Sequence, residues 1–142
     1  MKIGFQCSSF DLFHTGHVAM LKMEKELCDY LKVALQVDPS EDRREKNKPI
    51  QTIYERYVQL QGCKYVDEIL VYSTEEDLLN LIKSQTMHIR FLSEEYIGKE
   101  FTGKQYCIDN DIEIHYHKRQ HTFSSSGLRK RVALAEENER NS

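Results

Sequence analysis

The sequence predicts an α/β protein: a doubly wound, five-stranded parallel sheet with helices on both faces. Three observations carry that expectation. Short apolar runs of strand character alternate along the chain with segments whose apolar residues recur at helical spacing. The 142 residues, 39% of them hydrophobic, suffice for one buried core and show no internal repeat, low-complexity linker or second-domain boundary. Strands that alternate with helices join in parallel, and the crossovers cover the sheet.

The elements follow in order. KIGFQC, Lys2 to Cys7, reads as a short buried strand. From His17 to Cys28 the spacing of Met20, Met23 and Leu27, widened by Val18 and Leu21, predicts a helix. YLKVALQV, Tyr30 to Val37, is a second strand, followed by the charged loop DPSEDRREKNKP and a helix from Ile53 to Gln61 with Ile53, Tyr57 and Leu60 on one side. EILVY is the third strand, EEDLLNLIKS a helix, HIRFLS the fourth strand and IEIHYH the fifth, with a short helix around Lys104 to Asp109 between the last two. A final helix from Ser124 to about Glu137 sets Leu128, Val132 and Ala135 on one face. Residues 1–135 are expected to form the domain, and residues 136–142 a polar, frayed tail.

Composition narrows the function classes. A formal charge of −3 gives no global basic field, which argues against nucleic acid as the principal partner. Cys7, Cys28, Cys63 and Cys107 stand far apart, form no CxxC pair and follow no secretory leader, so reduced thiols in a cytoplasm are expected. Apolar runs end far short of the roughly 20 residues that cross a bilayer, so no membrane association is expected.

In a sheet of this kind ligands collect beyond the carboxyl ends of the strands, where the loop SSFDLFHTGH, residues 8–17, must lie. Gly16 allows backbone to approach a ligand closely, and the helix that follows aims its unpaired amides and positive dipole end at the same spot. An anion is the natural guest. His14 and His17 can both turn toward it and donate N–H groups to phosphate oxygens as charge builds in a transition state. The other reading of an isolated HxxH is one helix cap and one satisfied core histidine.

FDLFHTGH resembles the HxGH signature of the nucleotidylyltransferase superfamily, in the FDxxHxGH form of the small cytidylyltransferases, especially the glycerol-3-phosphate cytidylyltransferases. The resemblance continues in CDYLKVALQVD, with an aspartate at Asp38, in YERYVQLQGCKYVDEIL, in EEYIGKEF, and in RQHTFSSSGLRKRV, which stands where the family has RTxGISTTxI. It covers roughly residues 2–132 and implies a Rossmann-like fold.

The resemblance implies transfer of a nucleoside monophosphate from a nucleoside triphosphate to the phosphate of a small substrate, with release of pyrophosphate. CTP and glycerol 3-phosphate are the leading pair; the alternatives are an adenylyltransferase acting on a phosphorylated cofactor precursor and a nucleotide-binding sensor without turnover. Magnesium is expected to arrive with the triphosphate, and relatives of this size imply a homodimer. His14, His17, Arg119 and Ser124 take the catalytic positions. Ser8, Ser9, Phe10, Gly16, His17, Arg119, Ser124, Ser125 and Ser126 take those that bind nucleotide. For the serines, an ordinary helix N-cap competes with a grip on the β- and γ-phosphates. Most of Arg129, Lys130 and Arg131 is expected to be a solvated face.

The acceptor is expected to meet Asp38, Lys46, Lys48, Arg56 and Lys64. Lys46 and Lys48 belong to a charged loop, with Arg43 and Arg44, that can close over an anion. Asp11 braces the first loop or orients a histidine, and Asp67 is either a bracket or a site residue. The chain departs from the family pattern at Ser93, Tyr96, Gln120 and Thr122, and with CSSF in the first loop, which bears on base and acceptor recognition. His115, His117 and His121 form a conceivable metal site, but no cysteine or carboxylate stands at matching spacing, and no metal ligands are assigned.

Overall fold

A computed structural model describes residues 1–119 and 123–142. Its elements are β1 (Ile3–Ser8), α1 (Thr15–Glu26), β2 (Tyr30–Gln36), α2 (Ile53–Gln61), β3 (Glu68–Tyr72), α3 (Glu75–Ser84), β4 (Ile89–Ser93), α4 (Lys104–Asp109), β5 (Glu113–His117) and α5 (Ser125–Asn141), with one-turn 3₁₀ segments at Pro39–Glu41 and Glu94–Tyr96. The strands pair in parallel in the order β3-β2-β1-β4-β5.

The two-residue period of each strand sorts its side chains between two cores. Leu31, Val33 and Leu35 of β2 pack with Leu21 of α1 and Leu60 of α2, whereas Ala34 joins Phe5 of β1 and Leu78 and Ile82 of α3 on the opposite face. Helices therefore cover both faces. The chain's progress across the sheet reverses at β1 and β4, and the crevice at their carboxyl ends is the topological switch point where ligands bind in such folds. Capping boxes start α2, with Thr52 and Glu55, and α3, with Thr74 and Asp77, as another does α1.

Three expectations change. Helix α1 opens at Thr15, which makes His14 its N-cap. Its inward face is set by Leu21 and Glu24, both 0% exposed, while Val18 and Leu27 are 36% and 39% exposed. The carboxyl of Glu24 has a buried partner, because both its oxygens accept from Gln6 Nε2 at 2.8 and 3.1 Å, and burial pushes its pKa up to about 8. Finally, α5 continues through the expected tail to Asn141, and its large apolar residues beyond Leu128 are exposed, Val132 at 57% and Leu134 at 58%.

Candidate active site

Beyond Ser8 the chain makes a tight excursion in which Phe10 and Leu12 adopt φ of +49° and +51°, a left-handed conformation that costs a residue with a side chain of order 1–3 kcal/mol. The surrounding contacts hold it there. Phe10 drops its ring into the core at 1% exposure, where it buttresses the loop with its ring centroid 5.3 Å from that of His17. Asp11 accepts from the amides of Ile50 and Gln51 at 2.9 and 3.0 Å, and Leu12 N donates to Gln51 Oε1 at 2.9 Å. Asp11 thus braces the loop.

Arg56 has a different place from the one expected of it. It is 1% exposed, and its guanidinium donates to four backbone carbonyls: Ser9 at 2.9 Å, Gln36 at 2.6 Å, Val37 at 2.5 Å and Gln51 at 3.2 Å. Instead of meeting the acceptor it ties the first loop, the end of β2 and the start of α2 together.

The two histidines are oriented by the helix they begin. His14 Nδ1 accepts from Gly16 N at 3.0 Å, and His17 Nδ1 accepts from His14 N at 3.2 Å, a capping box built from imidazoles. The rings stack at 3.9 Å, and Phe13 lies nearly parallel to His17 at 5.5 Å. A nitrogen that accepts a hydrogen bond carries no proton, so in both rings the proton sits on Nε2, the tautomer that can donate to an oxyanion. The cap and the anion-binding role are therefore compatible, because they use different nitrogens.

These residues line a cavity of about 290 Å³ together with Arg119, Ser124 and Ser125. Ser124 Oγ caps α5 by accepting from Gly127 N at 2.9 Å; Ser125 Oγ donates to the Asp11 carbonyl at 2.7 Å, joining segments 114 residues apart. Arg119 Nη2 donates to the Phe123 carbonyl. The two sequence-distant clusters thus meet. Ser126 is exposed and outside this lining. The other end of the cavity is apolar, formed by Ala19, Met20 and Met23, with Ser93, Glu95 and Lys118 nearby.

A larger cavity of about 500 Å³ shares Met20, Ser93 and His117 with the first. Ser8, Ser9, Arg43, Lys46, Tyr72 and Glu75 line it, with Arg90. Of the two candidate loop lysines Lys46 reaches this wall and Lys48 does not. Asp38 is outside the lining too: it caps the 3₁₀ turn by accepting from Ser40 N and Oγ at 2.9 and 2.6 Å, and the hydroxyl hydrogen bond holds its carboxyl below the usual range. Lys64 sits in the loop entering β3, at the amino end of the sheet, with Nζ 5.3 Å from the ring of Tyr65. That is the end opposite the two cavities. Asp67, in the same loop, is a bracket that accepts from Leu31 N at 2.8 Å and pairs with Lys25 at 2.5 Å.

Sequence reasoning passed over Arg90, Glu75 and Tyr72 as cavity residues. The available signal was an arginine in the middle of the apolar run HIRFLS. His117 is 8% exposed at the junction of the cavities, its Nε2 has no hydrogen-bond partner among the described residues, and burial lowers its pKa. Burial pushes the Cys7 thiol and the Tyr72 phenol up, so both are neutral at ordinary pH. Among the described residues no three His, Cys, Asp or Glu side chains are grouped to hold a metal; His121, Gln120 and Thr122 lie outside the described residues.

The histidine loop and the arginine–serine segment that meet at one cavity both fall within residues 5–131 of this chain, which match the Cytidylyltransferase-like family. The chain belongs to that family. It is 29% identical over 134 residues to a glycerol-3-phosphate cytidylyltransferase of Bacillus subtilis (strain 168), covering 94% of this chain and 98% of that protein. It is also 30% identical over 129 residues to an ethanolamine-phosphate cytidylyltransferase of Dictyostelium discoideum, covering 85% of this chain and 34% of that longer protein. The chain spans between 15 and 34% of the ethanolamine-phosphate cytidylyltransferases it matches. Among solved structures, the lipopolysaccharide core biosynthesis protein from Thermoplasma volcanium GSS1 shares the fold, with a TM-score of 0.67 at 21% identity over 87% of this chain and 99% of that one.

Within this cytidylyltransferase-like chain, two departures from the family pattern have visible uses. Ser93 caps the turn after β4, accepting from Glu95 N at 3.3 Å, and Tyr96 packs edge-on against Phe101 at 6.2 Å. Among the described residues no helix is long and apolar enough to cross a membrane, and the four cysteines are free.

Proposed function

We propose that this chain transfers a cytidylyl group from CTP to the phosphate of a small phosphorylated alcohol, with glycerol 3-phosphate the leading acceptor, releasing pyrophosphate. The observation that supports the reading is the meeting of His14, His17, Arg119 and Ser124 at one cavity that opens beside a second, basic one. CTP occupies the first, its triphosphate at the histidines and the start of α5 and its base toward Met20 and Met23. The acceptor enters the second, with Lys46 at its phosphate.

An acceptor phosphate oxygen attacks the α-phosphorus, a new P–O bond forms, and the bond to the β-phosphate bridge breaks with its electron pair leaving on pyrophosphate. No covalent enzyme intermediate is needed. His14 and His17 donate from Nε2 to the α-phosphate oxygens as negative charge grows there, and Arg119 and the Ser124 segment hold the leaving phosphates. Magnesium, if bound with the triphosphate, would supply further neutralisation of that charge. A homodimer belongs to the same proposal; sedimentation showing only monomer at micromolar concentration removes it.

The test is a panel of nucleoside triphosphates against phosphorylated alcohols with pyrophosphate detection. Pyrophosphate formed only from CTP, and only with an acceptor present, supports the reading; formation from ATP alone replaces it with an adenylyltransferase, and tight CTP binding without product replaces it with a sensor.

A further inference from the structure

Arg90 is the least expected charge in the molecule. It stands on β4 between Ile89 and Phe91, is 2% exposed, and borders the larger cavity. Taking a guanidinium out of water costs several kcal/mol unless charge and hydrogen bonds compensate, and here the protein compensates only in part. One Nη1 hydrogen goes to the Thr102 carbonyl, Nη2 meets Cys7 Sγ at 3.8 Å, and the Phe101 ring covers the cation at 4.9 Å. Among the described residues Nε has no partner and no carboxylate lies within 4 Å. The slot is nevertheless preserved: Gly103 sits at φ +84°, and a Cβ there would lie 2.8 Å from Arg90 Nη1.

The other charges of the cavity leave this one unopposed. Glu75 is 3.7 Å from Arg43, so that pair is internally compensated, and Glu100 has its side chain 91% exposed beside Lys104. Lys46 and Arg90 remain, one on the loop side and one at the sheet. With Lys46 on the acceptor's phosphate, the far end of the acceptor meets a buried cation.

We propose that Arg90 determines acceptor specificity, donating to an oxygen, hydroxyl or carboxylate, at the end of the acceptor's tail and excluding acceptors that end in an ammonium group. This rests on reading the larger cavity as the acceptor's. An ammonium there would meet a like charge with no carboxylate to spare, whereas an oxygen supplies the lone pairs the guanidinium lacks.

Calorimetric titration of the full chain with glycerol 3-phosphate, 3-phosphoglycerate and phosphoethanolamine tests it. The two oxygen-tailed probes are expected to bind at least about tenfold tighter than the amine, and their own order tells hydroxyl from carboxylate. Arg90→Gln should weaken the oxygen-tailed probes about tenfold and leave CTP within about twofold, a split that a merely structural arginine would not produce. Cys7→Asp keeps the guanidinium and offers it a carboxylate across the existing contact, so it should narrow the preference even if Arg90→Gln folds poorly. Phosphoethanolamine binding as tightly as the others, no binding by any probe, or a preference unchanged in both variants overturns the proposal. Pyrophosphate release is measured separately: if no probe supports turnover but the binding order holds, cytidylyl transfer falls and tail recognition by Arg90 stands.

Discussion

Arg56→Met removes the guanidinium that gathers four carbonyls and keeps most of the aliphatic stem. Hydrogen bonds from a charged donor contribute about 1.5–3 kcal/mol each, so a simple sum over four would reach about 6–12 kcal/mol. That sum is an upper bound, because the bonds share one side chain and the Ser9, Val37 and Gln51 carbonyls are only partly buried and can recover water. The Gln36 carbonyl is buried and cannot. Breaking one side of a buried charged arrangement costs about 3–5 kcal/mol, and a loss of about 4 kcal/mol is expected here. Set against a typical domain stability of about 5–15 kcal/mol, the variant should fold at 25 °C but melt far earlier. Urea denaturation followed by circular dichroism measures it, with an unchanged m-value confirming that stability alone has moved. Arg56→Lys retains charge but not the planar fork, and should recover little. A loss below about 1 kcal/mol in Arg56→Met would refute the tie, and would return Arg56 to the list of groups free to meet substrate.

His14→Asn and His17→Asn can keep the capping hydrogen bonds, Oδ1 standing where Nδ1 accepts, while no donor reaches the place of Nε2, so turnover should fall by about 10²-fold or more with little change in melting temperature; equal loss of fold and activity would make the imidazoles structural. Arg119→Ala should weaken CTP by about 2 kcal/mol or more and CMP hardly at all, with Ser124→Ala costing less, as calorimetry can show; CTP bound as tightly as in wild type would remove the phosphate clamp. Glu24 binds its proton up to about pH 8 when folded but only to about 4.5 when unfolded, so between those values the native state holds more protons and stability falls as pH rises, by up to about 1.4 kcal/mol per unit. Glu24→Gln should flatten that slope in urea titrations from pH 5 to 8, and parallel profiles would show that the Glu24 carboxyl is not buried in its neutral form.

The run of elements is legible in the sequence, because hydrophobic period and helix-start chemistry act over a few residues at a time. EILVY, the helix Ile53–Gln61 and the helix Lys104–Asp109 are found where their local patterns put them. The sequence also places the histidine loop at the carboxyl edge of the sheet, since a strand-loop-helix unit in a parallel sheet has only that place to open. Glu24 facing inward beside Leu21 was not legible, because its burial depends on Gln6 of β1, 18 residues away, offering its amide to the carboxylate. The arginines show the same limit. Arg56, Arg119 and Arg90 carry one chemistry in the sequence, yet one is enclosed by four carbonyls, one lies at the cavity with the histidines and one closes the larger cavity. Only the tertiary structure decides among these, since what a charge does depends on how far it is desolvated and which distant groups remain to answer it.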